Sequence, residues 1–334
     1  MIRIIFTGLF FTLFLFSCSA QQENLKMVKT YKIGGEGGWD YIALNDQKLY
    51  VSHGTRVNII DEASGDSTGV IEGTTGVHGI AFDSKLNKGY TSNGRLDNVS
   101  VFDLNTNKIL NTIATGGNPD AIMYDEFSNK IITCNGRGKS LSIIDPAIDS
   151  VVATIALDGR PEEAVSDHRG TLYVNLEDKN TIAVIDLQTY NVKKKWPISP
   201  GEGATGLAMD ISTNRLFAGC DNDKLMVLDA KSGKVITSVS IGSGCDGVAF
   251  DEEQKLIYTS NGEGNVTVIK ETDANHFEKV QTIQTKKGAR TLVLDPQSHT
   301  LFLPTADVQQ LPAAADGSPQ RKIIPGTFCV LVVQ

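Results

Sequence analysis

The chain has 334 residues, 39 of them acidic and 31 basic, for a formal charge of −8, and aromatic residues make up 7%. An acidic chain with few aromatic residues is a poor general binder of nucleic acid or anionic lipid, both of which need a basic surface. Five cysteines occur in neither a C-x-x-C nor a zinc-knuckle spacing, which argues against a redox pair or a structural zinc site.

Residues 1–20 stand apart from the rest. Arg3 precedes an apolar run from Ile4 to Phe16 and then Ser17-Cys18-Ser19, the order of a secretory signal whose hydrophobic region is too short for a comfortable membrane span. Leu15-Phe16-Ser17-Cys18 resembles a bacterial lipobox, so Cys18 is the expected lipidated first residue; an ordinary signal peptide cut nearby is the alternative. Residues 21–26 suit a tether better than a strand, and the globular part is expected over 27–334. Losing Arg3 with the signal takes the formal charge from −8 to −9. The expected location is the cell envelope, periplasmic or outer-membrane associated, with membrane contact through the lipid anchor only.

From there a short phrase returns in altered spelling. It reads GGWDYIALN ending at Asn45, GVHGIAFD at Asp83, GGNPDAIMYD at Asp125 and GRPEEAVSD at Asp167. Then come GEGATGLAMD ending at Asp210, GSGCDGVAFD at Asp251 and KGARTLVLD at Asp295, with spacings of 38, 42, 42, 43, 41 and 44 residues. Within each repeat, four short runs of β-branched and aromatic residues are separated by Gly, Asn, Asp and Ser clusters, the pattern of antiparallel strands joined by turns. The third runs alternate apolar with polar or small residues (VNIID, VSVFD, LSIID, IAVID, LMVLD, VTVIK), as expected in a half-covered sheet. Four-stranded units at this period predict an all-β, seven-bladed β-propeller. The last run, Phe328 to Val332, is a third strand with no fourth after it, and Met27 to Ile33 is a fourth strand with no blade before it. The N-terminal strand is therefore expected to complete the last blade and remove its free edge.

The second-strand phrases Tyr90-Thr91-Ser92-Asn93, Ile132-Thr133-Cys134-Asn135 and Tyr258-Thr259-Ser260-Asn261, the V-x-V-[IF]-D endings of third strands, and Pro325-Gly326-Thr327-Phe328 carry a further likeness. In these the chain resembles the YVTN-type, YncE-like seven-bladed propellers of exported bacterial proteins, over essentially the whole mature sequence. The resemblance implies the fold and a scaffold hosting several roles; it does not imply one activity. Tyr173-Val174-Asn175-Leu176 and Phe217-Ala218-Gly219-Cys220 depart from the pattern, lacking the strand-ending Asn.

In a propeller the loop entering the innermost strand and the loop leaving the second strand open on one face. Five residues before each repeat end stand Asp40, His78, Asp120, Glu162, Thr205, Asp246 and Arg290; at the second-strand ends stand His53, Asn93, Asn135, Leu176, Cys220, Asn261 and Thr305. Backbone turn chemistry explains Asn and Asp in such loops but not His78, Glu162 or Arg290. One reading is a divalent metal or cationic-ligand site of Asp40, His78 and Asp120, with His53 as a further candidate, because imidazole and carboxylate together suit zinc, manganese or iron. Another uses Arg95, Arg137, Arg160 and Arg290 to hold a carboxylate, phosphate or sugar acid. The alternative to both is structural: ring groups hydrogen-bonded to neighbouring loops, and rim arginines paired with Asp97, Glu162 or Glu163.

The segment 306–325 is expected to be a long irregular loop on the same face, a lid or a partner contact. Cys220 and Cys245 belong to neighbouring blades and to the loops of that face, so a disulfide between them is an open alternative to free thiols. No G-x-S-x-G elbow, H-E-x-x-H, P-loop or C-x-x-C-H occurs. The leading expectation is a monomeric platform that binds a small molecule, glycan or envelope protein through this face. The alternative is a lactonase-like hydrolase or a lyase, with His78 as general base and Asp120 or Asp246 orienting it or holding a metal.

Overall fold

Each repeat folds into a four-stranded antiparallel blade because its apolar residues face both ways and need a neighbour on each side. The computed structural model describes residues 24–312 and 320–334; the signal residues and Cys18 lie outside them. The seven blades are the seven four-stranded sheets of the structure, each running from an innermost to an outermost strand. Six are continuous in sequence, as in blade 3, whose strands are Pro119–Asp125, Lys130–Asn135, Ser140–Asp145 and Ser150–Ala156. The seventh combines Val293–Asp295, Thr300–Thr305 and Cys329–Val333 with the N-terminal strand Met27–Lys32, which pairs with the C-terminal strand as expected.

The core lies between blades and not within one. Seven apolar clusters each span two adjacent blades, and the one that closes the circle packs Tyr31, Phe302, Phe328 and Val330 of blade 7 against Ile42, Leu49 and Val51 of blade 1. The third strands are consequently buried on both faces, against the half-covered expectation: Val99, Ser100, Val101 and Phe102 are all inside. Only the outermost strands read as one-sided, most of them burying a single residue such as Ile71, Ile113, Ile155 or Trp196.

The Asp that ends a repeat is turn chemistry. Asp83 accepts hydrogen bonds from the amides of Lys85 and Leu86, Asp125 from Ser128, and Asp251 from Gln254, so each carboxylate closes the turn to the second strand. Asp210 does the same for Ser212 and Thr213 and also meets Lys255 at 2.9 Å. These bonds hold the face opposite the mouth and leave the other end of each innermost strand for the ring residues.

Two expectations change here. The segment 306–325 contains a two-stranded hairpin, Val308–Leu311 paired with Gln320–Ile323, and is not wholly irregular. Leu25 and Lys26, assigned to the tether, are already docked: Leu25 exchanges hydrogen bonds with the Gln281 side chain, and Lys26 with the backbone of Gln334. Among the described residues no helix is long and apolar enough to cross a membrane.

Candidate functional site at the channel mouth

A register irregularity recurs near the start of the innermost strand in six blades, for example between Trp39 and Ile42, Val77 and Ile80, and Pro119 and Ile122. A bulge breaks the strict alternation of a strand, so two successive residues of each blade can face the axis. The first of the two is the ring counted from the repeat: Asp40, His78, Asp120, Glu162, Thr205, Asp246 and Arg290. The second layer is Tyr41, Gly79, Ala121, Glu163, Gly206, Gly247 and Thr291.

The first ring divides into groups. His78 Nδ1 lies 2.5 Å from Asp40 Oδ2 and 3.5 Å from Asp120 Oδ1, and the three residues offer ligand atoms within 4.8 Å of one another. Across the mouth Arg290 meets Asp246 at 2.5 Å. Glu162 lies 3.5 Å from Arg160, whose guanidinium also binds Glu177. The Thr205 hydroxyl is spent on the carbonyl of Cys245, at 2.6 Å.

Protonation follows from crowding and burial. Burial pushes the Asp120 carboxyl up to about 7, with the charge of Asp40 adding to it and His78 opposing. Burial works against a charged His78, but the hydrogen bond with Asp40 and the charges of Asp120 and Asp40 outweigh it and hold the imidazole above the usual histidine range. Burial raises Asp246 to about 6 against the pull of Arg290. Burial, and then the shared hydrogen bond with Glu177, raises Glu162 to about 10. Deeper in the channel, burial raises Glu163 to about 8, with Tyr41 beside it. The mouth therefore has too few cations for its carboxyl groups and holds protons in their place.

The second expected ring is a correction. His53, Asn93, Asn135 and Asn261 are buried inside their blades and do not reach the mouth. In six blades the second strand pairs its last residue with the first residue of the innermost strand (for example Trp39 with His53, Val77 with Asn93, Pro119 with Asn135, Cys245 with Asn261), which turns these side chains inward. Asn135 accepts from Thr133 at 2.9 Å and donates to Ser140 and Ser142 at 3.1 and 3.0 Å; Asn93 and Asn261 repeat the network. The Y-T-S-N phrase is thus a strut. Asn135→Ala should cost about 1–3 kcal/mol, because three buried hydroxyls lose a partner. Urea unfolding reads this, and an unchanged midpoint would remove the strut role. His53 instead stacks on Phe328 at 4.1 Å, under Gly35 and Gly37, with burial holding its imidazole below the usual range.

The residues that do reach the mouth from the second strands stand one place later. In blades 4 and 5 these are Glu177 and Asp221, where the strand-ending Asn is missing; in blades 2, 3 and 6 they are Gly94, Gly136 and Gly262. Gly94 matters sterically, since a Cβ there would lie 2.6 Å from His78 Nε2. Of the arginines, Arg137 pairs with Asp97 at 2.6 Å and Arg160 with Glu162 and Glu177, as the structural alternative had it. Arg95 is exposed on the rim with its stem against Gly76. Cys134, Cys220, Cys245 and Cys329 are free and buried, and burial raises Cys220 to about 12 and Cys245 well above the usual thiol range.

Beside the ring a cavity of about 790 Å³ opens between blades 5 to 7, blade 1 and the hairpin. Trp39, Asp246, Lys287, Arg290, Arg321 and Ile323 line it, and Ile323 packs over Gly38. Another recess, of about 700 Å³, lies on the opposite face, lined by Leu25, Val28, Glu253, Lys270 and His299.

No family model and no curated protein matches the chain. Among solved structures it is similar to the Kuenenia stuttgartiensis hydrazine synthase, with a TM-score of 0.72 at 15% identity, covering 89% of this chain and 97% of that one. At that identity the likeness establishes the propeller and nothing about chemistry.

Proposed function

We propose that the protein is an exported, lipid-anchored β-propeller of the cell envelope, a monomer that binds a small polar molecule at its channel mouth. The observation that carries this reading is the cavity of about 790 Å³ beside the ring, within the size range of small-molecule sites. It combines an aromatic wall, Trp39, with groups of both charges, Asp246, Arg290 and Lys287, so a ligand with polar groups and a flat apolar face would be oriented there. Envelope location and anchoring at Cys18 rest on the amino-terminal sequence. An acidic mouth speaks against nucleic acid as the ligand.

The chain has two tryptophans, and Trp196 is buried in the core between blades 4 and 5, so a ligand-induced fluorescence change reports on Trp39. Titrating amino acids, sugar acids and cell-wall fragments into the chain from Gln22 onward should give a saturable change with one class, lost in Trp39→Phe and weakened at least tenfold in Arg290→Ala. No saturable change with any of them, or one that Arg290→Ala leaves intact, removes the reading.

A hydrolase or lyase at the same mouth has one observation in its favour. Asp40 holds Nδ1 of His78 while Gly94 leaves Nε2 open, the pairing of a general base with the group that orients it. An enzyme would lose turnover without loss of fold in His78→Ala, whereas a binding platform would respond more to removal of residues 308–323.

A further inference from the structure

We infer that Asp40, His78 and Asp120 form a binding site for a divalent transition-metal ion, zinc or manganese, within the channel mouth. The inference rests on the reading of the mouth as a ligand-binding face and specifies what that face holds.

Three consecutive blades deliver one ligand each. His78 Nδ1 stands between Asp40 Oδ2 at 2.5 Å and Asp120 Oδ1 at 3.5 Å. Around a metal with bonds of about 2.0–2.2 Å, neighbouring ligand atoms stand roughly 3.0–3.5 Å apart, so the His78–Asp120 pair is already at that spacing and the Asp40–His78 contact reaches it by opening less than about 1 Å. The backbones behind these side chains are tied to one another across the blades. Ser92 Oγ accepts from the amide of Gly79, next to His78, at 2.8 Å and donates to the carbonyl of Asp120. The amide of Asp40 donates to Ser52 Oγ at 2.9 Å, and Thr291 Oγ1 of blade 7 donates to the Asp40 carbonyl at 2.7 Å. This fixes the spacing of the three ligands before any ion arrives, as the supporting shell of a metal site must.

The ligands are also available. Among the described residues no hydrogen-bond donor lies within bonding range of the Asp120 carboxylate except His78 at 3.5 Å. The side chains of Asp40, His78 and Asp120 are 18%, 27% and 17% exposed, which keeps them at the edge of the water in the mouth and leaves coordination positions for water or a ligand atom. An imidazole nitrogen in the set selects zinc or manganese over calcium, which takes oxygen ligands.

The test uses the chain from Gln22 to Gln334, freed of metal with a chelator, dialysed, and titrated separately with Zn²⁺, Mn²⁺ and Ca²⁺ by calorimetry and by thermal unfolding. Zn²⁺ or Mn²⁺ should bind one to one and raise the unfolding midpoint by several degrees, and Ca²⁺ should not. Asp120→Asn and His78→Gln, chosen for shape, should each weaken that binding at least tenfold, with unfolding midpoints in chelator showing that they fold. Asp273→Asn, at the exposed His276–Asp273 pair on the outer edge of blade 6, should bind as the parent does. Absence of one-to-one binding by either ion overturns the proposal, as does full affinity in both Asp120→Asn and His78→Gln. Loss in His299→Gln instead would also overturn it, by placing the ion on the opposite face, where His299 meets Asp251 at 2.7 Å. The Trp39 fluorescence titration in chelator fails or succeeds independently, so the two readings fall separately.

Discussion

A chain that starts at Gly34 instead of Gln22 is expected to lose about 5 kcal/mol or more of stability, or to associate through its open blade. Residues Met27–Lys32 form the outermost strand of blade 7, paired with Cys329–Val333, the strand from the other end of the sequence. Without them the ladder loses several backbone hydrogen bonds, each worth ~1 kcal/mol net, and the edge of Cys329–Val333 becomes a template for another chain. Tyr31 adds ~2 kcal/mol, being the one residue of this strand that is buried. Its hydroxyl donates to the carbonyls of Glu62 and Ala63 at 2.9 Å, and Gly65, at φ +78°, leaves the space its ring fills. Tyr31 thereby joins blade 7 to the turn of blade 1, so loss of the strand unlatches a junction as well as an edge. Urea unfolding and size-exclusion chromatography of the two chains would show it, with a peptide of residues 24–33 restoring the midpoint in trans. Equal midpoints would mean that the closing strand adds nothing to the ring.

The fold was legible because a propeller writes its period into the chain. Seven phrases at a spacing near 42, and an unpaired strand at each end, leave one arrangement that satisfies every edge. Counting five residues back from the repeat end found Asp40, His78, Asp120, Glu162 and Asp246 because turn and strand lengths are constant there. The same counting failed by one place on the second strands. A residue paired with the first position of the innermost strand points into its blade, so Asn93, Asn135 and Asn261 became struts, and the following residue, Glu177 or Asp221, faced the mouth. Glu163 and Tyr41 stayed hidden for another reason: alternation predicts that the neighbour of a ring residue points away, and the recurring bulge cancels it. The missing Asn in blades 4 and 5 was the one trace of the added acids. The paired strands Val308–Leu311 and Gln320–Ile323 left none, since VQQL and QRKI carry no apolar alternation.

Glu163→Gln is expected to stabilise the protein above pH 8 and to leave it unchanged near pH 4. Burial raises the Glu163 carboxyl to about 8, while in the unfolded chain it titrates near its ordinary value of 4.5. Between those two values the folded protein holds a proton that the unfolded chain has released. Stability therefore falls as the pH rises through this window, and the whole cost is present once the folded group ionises above about 8. Below the unfolded value both states carry the proton, and the residue contributes no slope. Glutamine keeps the shape and a hydrogen-bonding oxygen for Tyr41 but carries no charge to bury. The gain at pH 9 should be of the order of 2 kcal/mol, a fraction of the free energy of confining a carboxylate there without any relaxation around it. Urea unfolding of both chains in chelator, at pH 4.5, 7 and 9, reads the difference without interference from a bound ion. The variant should keep a residual slope, because Asp120, Asp246 and Glu162 are likewise raised by burial, with neighbouring carboxyl groups adding to it. Parallel curves for the two chains would mean that water or a cation reaches Glu163 from the mouth. The channel would then be open at the depth of Tyr41, and the space available to a ligand would extend along the axis below the ring.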